Sequence, residues 1–457
     1  MLDLASPAGA IPHIAGKDLN PFWVLPFGGI LLSIALLPLL APKFWHRHFG
    51  KVAAFWALAF FLPFGWRFGF EPAVYEFVHT LLLEYLPFII LLVALYTVSG
   101  GIRIADTIRA TPAKNMAMLA IGTVLANIMG TTGAAMLLIR PLLQANAKRR
   151  HKVHMVVFFI FLVGNIGGSL TPLGDPPLFL GFLKGVDFFW TARHMTLPLA
   201  VTASILLPVF YIVDRYYFMK DNVRHEAEPK RAGRLGIEGA QNIPLLLAIV
   251  AAVVMSGIWK PNIGITVYHV RIEIQDIVRD MLLIIISLAS WKWTRAEIRA
   301  GHGFTWFPMT EVAKLFAAIF LTIIPAIAIL RAGESGSLGF LVRTLSANGE
   351  PVNALYFWTT GLLSSFLDNA PTYLIFFNAA GGDPAVLTGP DAHTLLAISA
   401  GAVFMGAMTY IGNAPNFLVR SIAEERGIEM PSFFGYMLWS TVFLIPVFIL
   451  TTFLFFR

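Results

Sequence analysis

The sequence predicts an all-α polytopic membrane protein, an inverted repeat with about eleven transmembrane helices, two re-entrant hairpins and two broken helices. Three observations predict it: an apolar composition, a run of long hydrophobic segments separated by basic loops, and one interruption that occurs twice. Of the 457 residues, 57% are hydrophobic and 13% charged, whereas soluble domains carry about 25% charged residues. Mean hydropathy is +0.73. These values fit a polytopic membrane protein and not a soluble domain. The net charge of +7 calls for no nucleic acid, because the basic residues gather in loops. The absence of Cys excludes disulfides and thiolate metal sites. The first 20 residues have neither a basic n-region nor an apolar h-region, so no cleavable signal peptide is expected.

After an N-terminal segment (1–21), apolar segments run over 22–42, 52–70, 80–99, 116–139, 153–190, 195–213, 243–259, 278–290, 311–330, 352–379, 393–419 and 433–456. A membrane-spanning helix needs about 20 apolar residues. Segment 153–190 is too long for one straight helix, and 278–290 is short. Loops 43–51, 100–115, 140–152, 214–241, 291–310 and 420–430 hold 22 of the 33 Lys and Arg, which puts them on the cytoplasmic side. Segment 116–139 then begins and ends on one face, so it is expected to enter and return, turning at GTTG (130–133). By the same parity, 352–382 forms a hairpin from the outer face, turning near LDNAP (367–371). The charged stretch 214–242 reads as a solvated cytoplasmic linker between the halves.

The interruption explains the architecture. TPLGDPPLFL (171–180) and TYIGNAPNFL (409–418) share T-x-[LI]-G-[DN]-x-P-x-F-L at an offset of 238 residues. At that offset LANIMGTTGAAMLL (125–138) falls on LSSFLDNAPTYLIF (363–376) without a gap, and KGVDFFW (184–190) resembles RGIEMPSFF (426–434) after a short insertion. One hairpin opens from the cytoplasm and its copy from outside. An inverted repeat with paired, Gly/Pro-interrupted segments points to a secondary transporter whose site lies where the breaks meet. Unwound backbone persists in lipid only where something satisfies its polar groups. The breaks offer Asn165, Thr171, Gly174, Pro176, Thr409, Gly412, Asn413, Pro415 and Asn416 for that purpose.

Asp175 and Asp368 are the acids inside the repeat motifs. An ionisable group at membrane depth is functional by default, and a desolvated carboxyl can hold a proton or a cation but not readily both. The competing role is capping: Asp175 precedes Pro176 and Pro177, Asp368 sits three residues before Pro371, and Asn413 sits two before Pro415. Glu84, in LLLEYLPFII, is expected to be buried against a partner or to lie at an interface. No phosphate-cradling loop, Walker pattern or nucleophile triad is present, so no cofactor and no catalysed reaction are expected, and transport is expected to run on ion gradients.

GNIGGSLTPLGDPPLFL (164–180) and SSFLDNAPTYLIFF (364–377) resemble the ion transporter superfamily, from about residue 80 to the C-terminus. That superfamily includes citrate/metal (CitMHS) transporters, ArsB-like arsenite pumps, dicarboxylate/sodium symporters and NhaD-type sodium/proton antiporters. GG-x-x-T-P-L-G-D (167–175) and Leu367-Asp368-Asn369-x-Pro371 are similar to the NhaD type, whereas the first hairpin keeps only the threonines, Thr131 and Thr132, of that type's Asp-Asn-Thr pattern. The resemblance implies a homodimer, multi-pass in a bacterial inner membrane, whose protomers pair scaffold helices (22–99 and 243–330) with an elevator-type transport domain (100–213 and 331–457). It implies Na⁺/H⁺ exchange, with Asp175 and Asp368 as Na⁺ ligands and Asn369, Thr132, Thr171, Asn413 and break carbonyls completing an oxygen shell. Coupled transport of citrate or another small carboxylate, and of arsenite, remain the alternatives.

Overall fold

The computed structural model describes residues 15–104, 111–221, 236–301 and 303–457. Most of the N-terminal segment and the middle of the linker, 222–235, therefore lie outside the described residues. The chain is helical because lipid offers no partners to backbone N–H and C=O groups, which must then pair within each segment. In order, the main helices are α1 (Leu25–Leu40), α2 (Pro42–Phe68), α3 (Phe70–Ser99), α4 (Pro112–Ala145), α5 (Val153–Leu162), α6 (Pro176–Leu183), α7 (Trp190–Lys220), α8 (Asn242–Ile258), α9 (Ile274–Trp293), α10 (Phe307–Thr322), α11 (Ile324–Arg331), α12 (Asn353–Phe366), α13 (Asn369–Ala379), α14 (Ala392–Met405), α15 (Ala414–Glu425) and α16 (Phe433–Phe455). Prolines occupy the first turn of α2, α4, α6 and α15, where a missing N–H removes no helical bond. Among the described residues six helices are long and apolar enough to cross a membrane, or seven if α10 and α11, bent by 41°, count as one.

One of those six does not cross. Asn115 and Asn146, near the two ends of α4, exchange side-chain hydrogen bonds of 3.2 and 2.9 Å. A straight helix would hold residues so spaced about 46 Å apart. The chain reverses at Gly130, whose φ of 75° and ψ of 156° suit a residue without Cβ. The second hairpin is α12 and α13, reversing at Leu367 and Asp368; the Tyr356 hydroxyl donates back to Ala379 O at 3.4 Å.

Both broken helices are present as half-helices. α5 stops at Leu162 and α6 starts at Pro176, with a 3-10 turn at Ile166–Ser169 between them. α14 stops at Met405 and α15 starts at Ala414, with a 3-10 turn at Gly406–Met408. At about 1.5 Å per residue, none of the halves spans the ~30 Å hydrocarbon core alone. These pieces form the centre: residues 155–163 and 394–405 are buried on every side. α1, α2, α9 and α16 instead expose large apolar side chains such as Leu36, Leu58, Leu62, Leu288 and Leu438 outward, as lipid-facing helices do.

Two boundaries differ from the sequence reading. The short 278–290 segment is the middle of the longer α9, whose outer turn carries Arg279 paired to Asp276 and Asp280 at 2.8 Å. The helix ahead of the linker continues to Lys220 because Asp214 is fully buried and neutralised within the fold, so the first charge of the supposed linker does not end it.

Candidate functional site

The repeat offset reappears as geometry. Thr171 Oγ1 donates to Asn127 O at 2.5 Å, and Thr409, its equivalent 238 residues on, donates to Ser365 O, the equivalent of Asn127. Each bond fastens a hairpin to the break of its own half. Within each break the backbone crosses itself: a Cβ on Gly174 would sit 2.2 Å from Gly168 O, and one on Gly412 would sit 2.6 Å from Gly406 O. Only glycine fits at either crossing.

Where the halves meet, four side chains converge. Asp175, 1% exposed, occupies the N-cap position of α6 but caps nothing. Its Oδ1 accepts from Asn413 Nδ2 at 3.0 Å and Thr131 Oγ1 at 3.2 Å, and its Oδ2 accepts from Asn369 Nδ2 at 2.5 Å. Asn413 is the repeat equivalent of Asp175, and Asn369 is that of Thr131. The site is therefore a pseudo-symmetric pair of breaks and hairpin tips, with a carboxylate on one side of the axis and an amide on the other.

All three donors are neutral, and Asp175 forms no ion pair among the described residues. Asn369, fully buried, spends its amide N–H on Asp175 and leaves Oδ1 without a donor among the described residues. Burying a carboxylate against neutral groups is costly, and a bare buried acceptor adds to that cost. Both deficits are of one sign. A proton or a cation relieves them; a second anion would not.

A second ring of amides holds the first. Asn165 Oδ1 accepts from Asn413 Nδ2 at 3.2 Å, while Asn165 Nδ2 donates to Ile160 O at 2.8 Å and Asn416 Oδ1 at 2.7 Å. Asn416 Nδ2 donates in turn to Gly406 O and Thr409 O, both at 2.8 Å. Gly174 O accepts from Thr131 N at 2.9 Å, and Leu170 O accepts from Thr191 Oγ1 at 3.0 Å. Several carbonyls expected to face a ligand are thus already engaged by protein donors. Pro176 and Pro415 stand in the first turns of α6 and α15 and fix where each half-helix restarts.

The expected residues separate on inspection. Asp175, Asn369 and Asn413 are brought together; Asn165, Asn416, Thr171, Thr409, Gly174 and Gly412 hold the breaks around them. Thr132 lines the crevice beside Asp175, but the hydroxyl on the carboxylate belongs to Thr131. Aligning the halves residue by residue singles out Thr131, because it falls on Asn369. Asp368 is half-buried, and its Oδ1 caps α13 by accepting from Ala370 N at 3.0 Å. It makes no hydrogen bond to Asp175 among the described residues. Asn127 and Ser365 carried no chemical signal in the sequence beyond their matched register.

The crevice at the first hairpin tip has a volume of ≈ 40 Å³ and is walled by Phe88, Leu91, Leu95 and Tyr96 of α3 and Met309 of α10. It has room for a water-sized occupant. Glu84 lies elsewhere. It sits on a π turn (Leu81–Tyr85) within α3 and pairs with Lys184 at the C-terminal end of α6.

No curated protein matches the chain. The CitMHS_2 family model, described as "Putative citrate transport", matches residues 16–456. The chain therefore belongs to the CitMHS_2 family of membrane transport proteins.

Proposed function

We propose that this chain is a secondary transporter exchanging Na⁺ or Li⁺ for H⁺ by alternating access, with Asp175 as the group that carries either ion. The observation that carries this reading is the set of three neutral donors around one buried carboxylate, with Asn369 Oδ1 left bare beside it. A hard cation prefers oxygen ligands, and Asp175, Asn369 and the threonines of the first hairpin supply them. Proton and cation compete for one carboxylate, which is the minimum an exchanger requires. Asp368 acts in this reading as the cap that orients Asn369. Motion is of the elevator type: residues 100–213 and 331–457 move against scaffold helices 22–99 and 243–330 in each protomer of a homodimer, embedded in a bacterial inner membrane.

The second reading, cation-coupled transport of citrate, is favoured by the family description. Against it stand the small crevice and the lack, among the described residues, of any Lys or Arg on Asp175. Proton flux in proteoliposomes with an imposed pH gradient distinguishes the two. Collapse of the gradient by NaCl or LiCl, at matched chloride and unaffected by citrate, supports exchange. Collapse that requires citrate overturns it.

A further inference from the structure

The outer surface of the bundle carries a groove that the transport site does not use. It runs between α7 and α16, has a volume of ≈ 520 Å³, and is lined by Ile212, Val213, Tyr216, Tyr217, Leu438, Trp439, Val442 and Phe443. That volume is in the range of ligand-binding clefts, about 300–1,000 Å³. α7 ends and α16 begins on the face that the basic loops assign to the cytoplasm, so the groove lies within about three turns of that interface. Tyr216, Tyr217 and Trp439 have the amphipathic rings that settle at headgroup level.

The basic loop KRRHK (148–152) is pinned beside this groove rather than left in solvent. Arg149 pairs with buried Asp214 at 2.6 Å and reaches Asp221 at 3.5 Å. His151 pairs with Asp221, and His154 with Asp214 at 2.8 Å. Both imidazoles stack on Tyr217, with ring centroids 5.0 and 4.8 Å away. Arg149 is consumed by these contacts. Arg150 remains exposed and Lys152 half-exposed. On α7, Arg215 and Lys220 are exposed on either side of Tyr216, Lys220 following it by one helical turn. The groove is thus apolar along its length and positively charged at its cytoplasmic mouth.

We propose that this groove binds an anionic glycerophospholipid, one acyl chain lying along Val213, Leu438 and Val442 and the headgroup phosphate held by Arg150, Lys152, Arg215 and Lys220. A basic pocket between transmembrane helices on the cytoplasmic side is the environment that anionic headgroups prefer. A zwitterionic lipid fills the groove equally well but leaves the cations unmatched, so the charge at the mouth selects the occupant. The site is independent of which ion is transported.

The test uses the full chain reconstituted in nanodiscs of equal phosphatidylglycerol and phosphatidylcholine, then extracted into detergent, with retained lipids counted by native mass spectrometry. The parent is expected to retain phosphatidylglycerol at least about five-fold over phosphatidylcholine. The R215Q/K220Q variant, altered only at exposed positions, is expected to lose that preference while its melting temperature in lipid-free detergent stays unchanged. Val442→Trp, which fills the groove, is expected to lower retention of both lipids. Equal retention of the two lipids by the parent, or an undiminished preference in R215Q/K220Q, overturns the proposal. So does a Val442→Trp chain that turns from dimer to monomer yet keeps its phosphatidylglycerol, since a second copy would then cover the groove.

Discussion

Replacing Asp175 by Asn removes the charge proposed to carry the ion and keeps the side-chain shape. Its three donors stand at 3.0, 3.2 and 2.5 Å. Hydrogen bonds to charged groups contribute about 1.5–3 kcal/mol and neutral ones about 0.5–1.5 kcal/mol, so the set weakens by roughly 3 kcal/mol. An amide also presents N–H to one of these donors, a further loss of about 1–3 kcal/mol. In the other direction, several kcal/mol of desolvation disappear with the uncompensated charge. The opposing terms are of similar size, and D175N is expected to fold and insert. Transport has no such cancellation: Na⁺-driven proton flux in proteoliposomes is expected to fall about 100-fold or more, equivalent to about 2.8 kcal/mol. A second readout is thermal protection by Na⁺. A ligand at 100 times its Kd stabilises the native state by about 2.7 kcal/mol, and D175N is expected to lose that rise in melting temperature. A D175N chain that keeps both flux and Na⁺ protection would refute the assignment of Asp175 as ion carrier.

Asp368 tests the division between ligand and cap. Asn is as good an N-cap as Asp, so D368N is expected to retain flux within about three-fold, whereas D368A loses about 1 kcal/mol of stability by chemical denaturation; flux abolished in D368N would make Asp368 a ligand. The Glu84–Lys184 pair joins the π turn of α3 to α6, with side chains only 10% and 16% exposed. Removing one partner of such a pair costs up to about 3–5 kcal/mol, so E84Q and K184M are each expected to weaken the coupling of α6 to the scaffold and to change the apparent Na⁺ affinity at the outer face, with the double variant milder than the sum; strict additivity in a double-mutant cycle would show that the contact is idle. Gly174→Ala drives a Cβ to 2.2 Å from Gly168 O and is expected to abolish the folded monodisperse protein in detergent, a loss that normal elution on size exclusion would contradict. Asn146→Ala leaves Asn115 Oδ1 without its donor at the hairpin base, while Asn115 Nδ2 keeps its bond to Asp214, and is expected to lower stability by about 1–3 kcal/mol, measured as a drop in melting temperature.

Much of this was legible in the sequence because lipid is an unforgiving solvent. A Gly, an Asp and two Pro cannot interrupt an apolar run unless backbone groups find partners there, so both breaks and both hairpin turns show as composition. What did not show was which partner each group finds. Thr131 and Thr132 are adjacent and chemically alike, and only the reversal at Gly130 turns the first toward Asp175. Asp368 and Asp175 both look like caps and like ligands; the choice depends on whether neighbouring side chains or the residue's own helix reach the carboxylate first. The bond from Asn165 to Asn416 spans 251 residues, and that from Lys184 to Glu84 spans 100. Nothing local marks either, because both arise from packing between segments far apart in the chain.

The difference between the two copies of the motif is the most informative letter in it. At matched positions one half has Asp175 and the other Asn413, and the two side chains meet at 3.0 Å across the pseudo-symmetry axis. Two carboxylates at that separation do not both ionise readily, so a symmetric pair would share a proton between them, and proton binding would compete far more strongly with Na⁺. Two amides would bind no cation strongly. One of each leaves a single negative charge, oriented by its own symmetry mate. The hairpin tips follow the same rule: Thr131 and Asn369 are equivalents, both donate to Asp175, and only Asn369 retains a bare oxygen. The repeat builds the cavity in duplicate, and the departures from the repeat place one charge and one acceptor inside it. Restoring symmetry is therefore expected to be more damaging than removing either group alone: in an N413D chain, proton uptake by the paired carboxylates should replace Na⁺ protection, and a chain that still gains thermal stability from Na⁺ at neutral pH would show that the asymmetry is incidental.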